Sequence, residues 1–274
     1  MPAVDFDFQR YVARRKGVRA AQVREGAAYA YPGDVRVLRT LDKLRPVQLA
    51  LDEAGRLWRH LARAELLGPA VRVSVERFAP VLHAARRCAE ILHIGTPTLY
   101  IAPQPTGVLT LGTDEEAYIV LAQGLLDSLS EDELLDVVGR ECGRIQNGHV
   151  PFYTALYYLQ HAKNTLVRWA VRPATLTLQA WSRRADVTAD RAGLLCARDL
   201  DVSLSGLAKT ASGGGDSREV GRRQRALGRF ADSTYYRTVI GRDSEDGEST
   251  EECDAAVALI LDDREPASSS QPSD

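Results

Sequence analysis

One helix of this chain has its start, its buried face and its end written into the sequence. Ser128-Leu-Ser130-Glu-Asp-Glu133 is a capping box, with Ser130 placed to accept the third helical N–H and Glu133 to reach back to the cap. Leu134, Leu135, Val138 and Ile145 then recur at helical spacing toward Gly148, which predicts a helix over about 131–148. Into this frame falls the run Gly139-Arg140-Glu141-Cys142-Gly143-Arg144-Ile145-Gln146-Asn147-Gly148-His149. Arg140 and Arg144 are four residues apart, so they share a helix face, and Glu141 lies beside them.

The rest of the chain supplies a setting of mainly α character with some β. Between about 45 and 93 the apolar spacing is helical, through Val47, Leu51, Leu57, Leu61, Val81 and Ile91. Three short β-favouring runs follow, Pro97-Thr-Leu-Tyr-Ile-Ala, Gly107-Val-Leu-Thr-Leu and Ala117-Tyr-Ile-Val-Leu, which predict a small antiparallel sheet over about 97–121. Pro151 can open the next helix and Pro173 another, running over about 174–198. Ser212-Gly-Gly-Gly-Asp216 breaks the chain before a basic helix with Arg218, Arg222, Arg223, Arg225 and Arg229, which is expected to be a solvated face. The expected organisation is therefore a partly ordered N-terminal segment over 1–44, one domain over 45–240, and an acidic, largely disordered tail over 241–274.

Composition narrows the function classes. Of 274 residues, 26% are charged and the formal net charge is -2, so no global basic field argues for nucleic acid. The N-terminus carries acids where a signal peptide has its apolar stretch, and the most apolar region, 149–182, is interrupted by Lys163, Arg168 and Arg172. Cys88, Cys142, Cys196 and Cys253 are widely spaced and show no C-x-x-C, which fits reduced thiols. A cytoplasmic protein is expected. A peripheral membrane contact through 152–172 is the one membrane reading left, since the aromatic run Phe152–Leu159 is followed there by Lys163, Arg168 and Arg172.

With histidine at 140 and 144 the helix would read H-E-x-x-H, the spacing at which two imidazoles grip zinc while the glutamate activates water. Together with Pro97-Thr-Leu-Tyr, Ile119-Val-Leu, Gly124-Leu-Leu-Asp127, Asp132-Glu-Leu, Gly148-His149 and Ala189-Asp190-Arg-Ala-Gly, this stretch resembles the HtpX-like metallopeptidases, metallopeptidase family 48, over roughly 90–210. The resemblance implies a gluzincin-like core and a zinc endopeptidase ancestry. It implies that Glu141 stands at the general-base position and Arg140, Arg144 and Asp186 at the three metal-ligand positions. It also puts Val108 and Leu109 on the strand that clamps substrate, where an Asn-Ala pair is usual, and Asp190 and His149 at supporting or bridging positions.

The departures then decide the expected function. A guanidinium stays protonated and has no lone pair for a metal. No other pair of histidines has i, i+4 spacing; His149 lies about 140° around the helix from Arg144, and Cys142 is also off that face. Two arginines and one aspartate carry the same net charge as a zinc dication with one glutamate. Arg144, with Arg140, is therefore expected to bridge to Asp186 or Asp190 and cross-link the two helices as a metal would. The expectation is a zinc-free, catalytically inactive homologue with a binding, scaffolding or regulatory role toward a protein or peptide partner, with a homodimer left open and no nucleic acid. The alternative is a metalloendopeptidase with non-standard ligation.

Overall fold

A computed structural model describes residues 26–58, 68–103, 107–113, 116–161, 172–211, 216–243, 245 and 247–263. The fold is α+β and mainly α, a helical body with one small sheet. The elements are α1 (Pro32–Leu41), α2 (Arg45–Leu57), β1 (Val71–Arg72), α3 (Ala79–Ile91), β2 (Thr98–Ala102), β3 (Val108–Gly112) and β4 (Ala117–Ala122). They continue with α4 (Gln123–Leu126), α5 (Glu131–Gln146), α6 (Val150–His161), α7 (Arg172–Ala197), α8 (Leu200–Ala211), α9 (Ser217–Ala231), α10 (Thr234–Val239) and α11 (Thr250–Leu261).

The sheet is mixed rather than antiparallel. Its order is β1-β2-β4-β3, with β2 parallel to β4 and β3 antiparallel to β4. β4 is buried at every position, as a central strand covered on both faces should be. The three quoted runs are all strands. The missed parallel pairing follows from β3 doubling back on the far side of β4, which no local alternation encodes. β3 closes on β4 through Gly112, whose φ of 142° and proximity to the Glu116 carbonyl admit no side chain.

α5 begins at the predicted capping box: the Ser130 hydroxyl accepts from Glu133 N at 3.2 Å and Glu133 Oε2 accepts from Ser130 N at 2.7 Å. It packs along α7, and a side chain at Gly193 would strike Asp136 and Arg140. This close approach is what brings the charged residues of the two helices together. The main core lies between α3, α5, α7 and the sheet, with Val137, Val138, Cys142, Ile119, Leu121 and Leu194 fully buried.

Two parts of the expected organisation differ. α1 belongs to the body, because Leu38 and Leu41 pack with Val47, Phe152 and Trp181, so a boundary at 44/45 cuts through a core cluster. The acidic segment after 241 holds a capped helix, α11, with Cys253, Val257 and Ile260 buried. Acidic composition hid the apolar spacing of these three residues; residues 264–274 lie outside the described ones. Cys88, Cys142, Cys196 and Cys253 are free, buried thiols. Among the described residues no helix is long and apolar enough to cross a membrane. The described part of 152–172 turns Phe152, Ala155 and Leu156 into the core rather than outward.

Candidate functional site

α5 and α7 face each other with the residues singled out in the sequence between them. Arg144 donates from Nη1 to Asp186 Oδ1 at 2.8 Å and from Nε to both Glu141 oxygens at 3.2 and 3.3 Å. Its guanidinium also lies 4.4 Å from the centre of the Tyr153 ring, and the Tyr153 hydroxyl donates to the same Asp186 oxygen at 2.7 Å. Glu141 takes a further hydrogen bond from the Thr110 hydroxyl of β3 at 2.7 Å. One arginine thus joins α5, α7 and α6, while Glu141 ties α5 to the sheet.

Arg140 takes a different course. It is 4% exposed and points toward α8, donating from Nη2 to the Thr210 hydroxyl at 3.2 Å and the Gly206 carbonyl at 3.4 Å. Its Nε is 3.2 Å from Asp136 Oδ2, and Asp190 Oδ1 is 3.8 Å from Nη1. The arginine that pairs with the Glu141 carboxylate is therefore Arg144, not the adjacent Arg140, because successive helix residues diverge by about 100°.

Asp190 pairs with Arg140 of α5 only at 3.8 Å and is gripped more closely in a fork from α9: Arg223 Nε reaches Oδ2 at 2.8 Å and Nη2 reaches Oδ1 at 2.6 Å. Arg223 Nη1 is also 3.8 Å from Asp186. His149 is fully buried on the opposite side, with Nε2 3.0 Å from Asp34 Oδ2, and Asp34 accepts from Trp181 Nε1 at 2.9 Å and the Thr188 hydroxyl at 2.6 Å. It fastens α1 to the body and lies outside the Arg144 network. Val108 and Leu109 are half-buried on β3, the outer strand. The backbone bonds Ala122 N to Gly107 O and Thr113 N to Glu116 O fix the odd positions of β3 toward β4, so Val108, Thr110 and Gly112 turn their backbone groups outward.

The electrostatics follow from burial and pairing. Burial pushes the Asp186 carboxyl up, but Arg223, Arg144 and the Tyr153 hydroxyl outweigh it and hold it well below the usual carboxylate range. Asp136 goes the other way, raised to about 6, because burial and nearby Asp190 outweigh Arg140, Ser203 and Arg223. Burial also lifts the Tyr153 phenol well above its ordinary value, so it remains a donor to Asp186.

These residues do not fit a zinc ion. Both arginines are spoken for by carboxylates and offer no lone pair. The Asp186 oxygen nearest Arg144 already takes two hydrogen bonds, and both Glu141 oxygens share the Arg144 Nε–H. Among the described residues no group of three His, Cys, Asp or Glu is placed to hold a metal. What the arrangement can do is present a polar, partly open floor, with Arg144, Asp186 and Arg223 as its solvent-touching members.

Sequence reasoning left out Asp136, Tyr153, Thr110 and Arg223. Asp136 was legible as an i, i+4 partner of Arg140 on a helix. Arg223 had no local signal; only the packing of α9 on α7 shows that one arginine of a basic row turns inward.

Residues 109–238 match the family described as Peptidase family M48. The chain is 29% identical over 164 residues to the plastoglobule-localized metallopeptidase 48, chloroplastic, of Arabidopsis thaliana, covering 58% of this chain and 48% of that protein. It is 33% identical over 89 residues to protease HtpX of Xylella fastidiosa strain M12, covering 32% of this chain and 30% of that protein. The chain thus spans under half the length of these curated relatives. No solved structure matches it.

Proposed function

This chain belongs to peptidase family M48, an HtpX-like member through residues 109–238, and from that premise we propose that it binds peptide or protein without cleaving it. The observation that carries the reading is the Arg144 bridge, 2.8 Å to Asp186 and 3.2 Å to Glu141, spanning the positions that in the family hold metal and base. Peptide hydrolysis needs a water brought near neutral pKa, and zinc lowers the pKa of bound water from about 15.7 to about 7. An arginine salt-bridged on both sides supplies no such effect, and Glu141 is held by Thr110 and Arg144 rather than by a metal-bound water.

Binding is the capacity that survives. β3 is an outer strand whose half-buried Val108 turns its backbone groups away from β4, the position at which an extended segment would pair by main-chain hydrogen bonds, while Thr110 on the same edge is buried. Thr110 also joins that edge to the Glu141–Arg144 floor. The role that follows is recognition: a scaffold, or a regulator that engages the same extended segments as an active relative.

The test is zinc stoichiometry of the protein purified without chelator or nickel resin, beside the variant Arg140→His, Arg144→His, Asp186→Glu. The expected result is no zinc in the wild type and zinc in the triple variant. Stoichiometric zinc in the wild type, with metal-dependent peptide hydrolysis, would favour the metalloendopeptidase reading and overturn this one.

A further inference from the structure

A groove of about 690 Å³ opens where β3 ends, between that strand, the start of α6 and the helix pair α1–α2. Its inner wall is Gly112, Thr113 and Thr154; its outer wall includes Asp42, Asp52 and Gln48. We propose that this groove is a side-chain subsite of the peptide-binding edge, and that it selects a basic residue, lysine or arginine, in the bound segment. The inference rests on the reading that β3 receives an extended peptide.

The backbone geometry explains why a side chain would be delivered here. A segment paired at Val108 runs over the buried Thr110 toward Gly112. At Gly112 the edge is already occupied, because the Thr154 hydroxyl accepts from its N–H at 2.9 Å and lies 3.0 Å from its carbonyl and 2.8 Å from that of Val150. Main-chain pairing therefore stops at that point, and the next residues of the peptide pass over the groove with a side chain free to enter it.

The charges set the class of that side chain. Asp42 caps the end of α1 and Asp52 lies on the exposed face of α2; among the described residues neither has an ion-pair partner. Arg56, the one basic residue on the wall, pairs instead with Glu53 at 3.5 Å. The groove thus holds two carboxylates that no described residue pairs, beside an apolar floor of Leu51 and Phe152, which suits an alkyl stem carrying a cationic head. Asp42 and Asp52 precede the matched region 109–238, so this preference is built from segments that the family match does not cover.

The test uses the full chain and acetylated, fluorescently tagged peptides of a threonine–valine–alanine host. Lysine, norleucine or glutamate is walked through every position, and binding is read by anisotropy at low salt. At one position the lysine peptide is expected to bind about fivefold tighter than the norleucine peptide. The preference should vanish in Asp42→Asn/Asp52→Asn and at about 0.5 M salt. Both aspartates are exposed, so the variant should fold, which circular dichroism checks; Asp52→Lys should reverse the preference toward glutamate. If lysine and norleucine peptides bind equally at every position, or the double variant keeps the preference, the subsite assignment is wrong while the peptide-binding edge stands. If no peptide of any series binds, both fall together.

Discussion

Arg144 and Asp136 mark the two ways a buried charge is handled in this site. Arg144 holds two carboxylates and is 11% exposed, so its removal strands Glu141 and Asp186 in a space that water only partly enters. Arg144→Ala is expected to cost about 3 kcal/mol in urea unfolding, with Arg144→Lys recovering only part, because an ammonium cannot fork between the two acids. The pH dependence has a definite sign. A carboxyl held below its unfolded value of 3.8 stabilises the native state above that pH and loses the contribution as pH falls below it. The wild type should therefore lose stability more steeply than Arg144→Ala in that acid range, the two curves converging.

Asp136 has the opposite sign. Its carboxyl, raised from 3.8 to about 6 mainly by burial, binds more protons in the folded than in the unfolded state between those values. Wild-type stability falls as pH climbs through that window and stays lower above it. Stability of Asp136→Asn minus that of the wild type should grow by on the order of 2 kcal/mol from pH 4 to pH 7. A flat difference across that range would contradict the assignment. The absolute offset also contains the loss of Arg140's neighbour at 3.2 Å, so the slope is the readout.

At the scale of elements, the α9–α11 pair carries the charge to the site. α9 presents Arg222 to Asp263 of the C-terminal segment at 2.6 Å and Arg229 to Glu248 at 2.9 Å, while Arg223 turns the other way to Asp190. α11 adds Asp254, whose Oδ1 is 2.6 Å from the buried Arg191 of α7. Arg191 also donates to the Tyr29 carbonyl at 3.2 Å and lies 4.7 Å from the Phe230 ring centre, so it joins the Tyr29 segment to α9 and α11 through α7. Asp254→Ala is expected to cost about 2 to 3 kcal/mol, since it leaves a buried guanidinium without its carboxylate. Asp262→Ala on the same segment, 3.9 Å from a one-third exposed Arg184, should change stability by less than about 0.5 kcal/mol. Equal effects of the two variants in urea unfolding would show α11 to be held by its apolar face alone.

Across the whole molecule, what was legible and what was not divides by the range of the interaction. α5 could be read to its first residue because a capping box and a repeating apolar face involve atoms within four residues of each other. Strands β2, β3 and β4 could be read as runs, yet their order could not, because the partner of β2 is β4 and hydrogen bonds between strands do not depend on which side chains flank them. The resemblance to the HtpX-like family pointed the Arg140–Glu141–Cys142–Gly143–Arg144 segment and Asp186 to one place, and the helix pair brings Glu141, Arg144 and Asp186 there. That Arg144 takes the bridge while Arg140 turns to Asp136 and α8 depended on helix rotation and on the gap left at Gly193. The acidic composition after 241 concealed α11, since charge reports solvation of one face and not burial of the other. The sequence by itself determined helix α5, the strand segments and the placing of two arginines, which have no lone pair for a metal, at 140 and 144, because propensity, capping and side-chain donor chemistry are local. Only the tertiary structure decided that Arg223 grips Asp190, that Asp34 holds His149 and Trp181, and that a groove opens beyond Gly112. Those depend on which distant surfaces pack together, and burial is a property of the assembled fold.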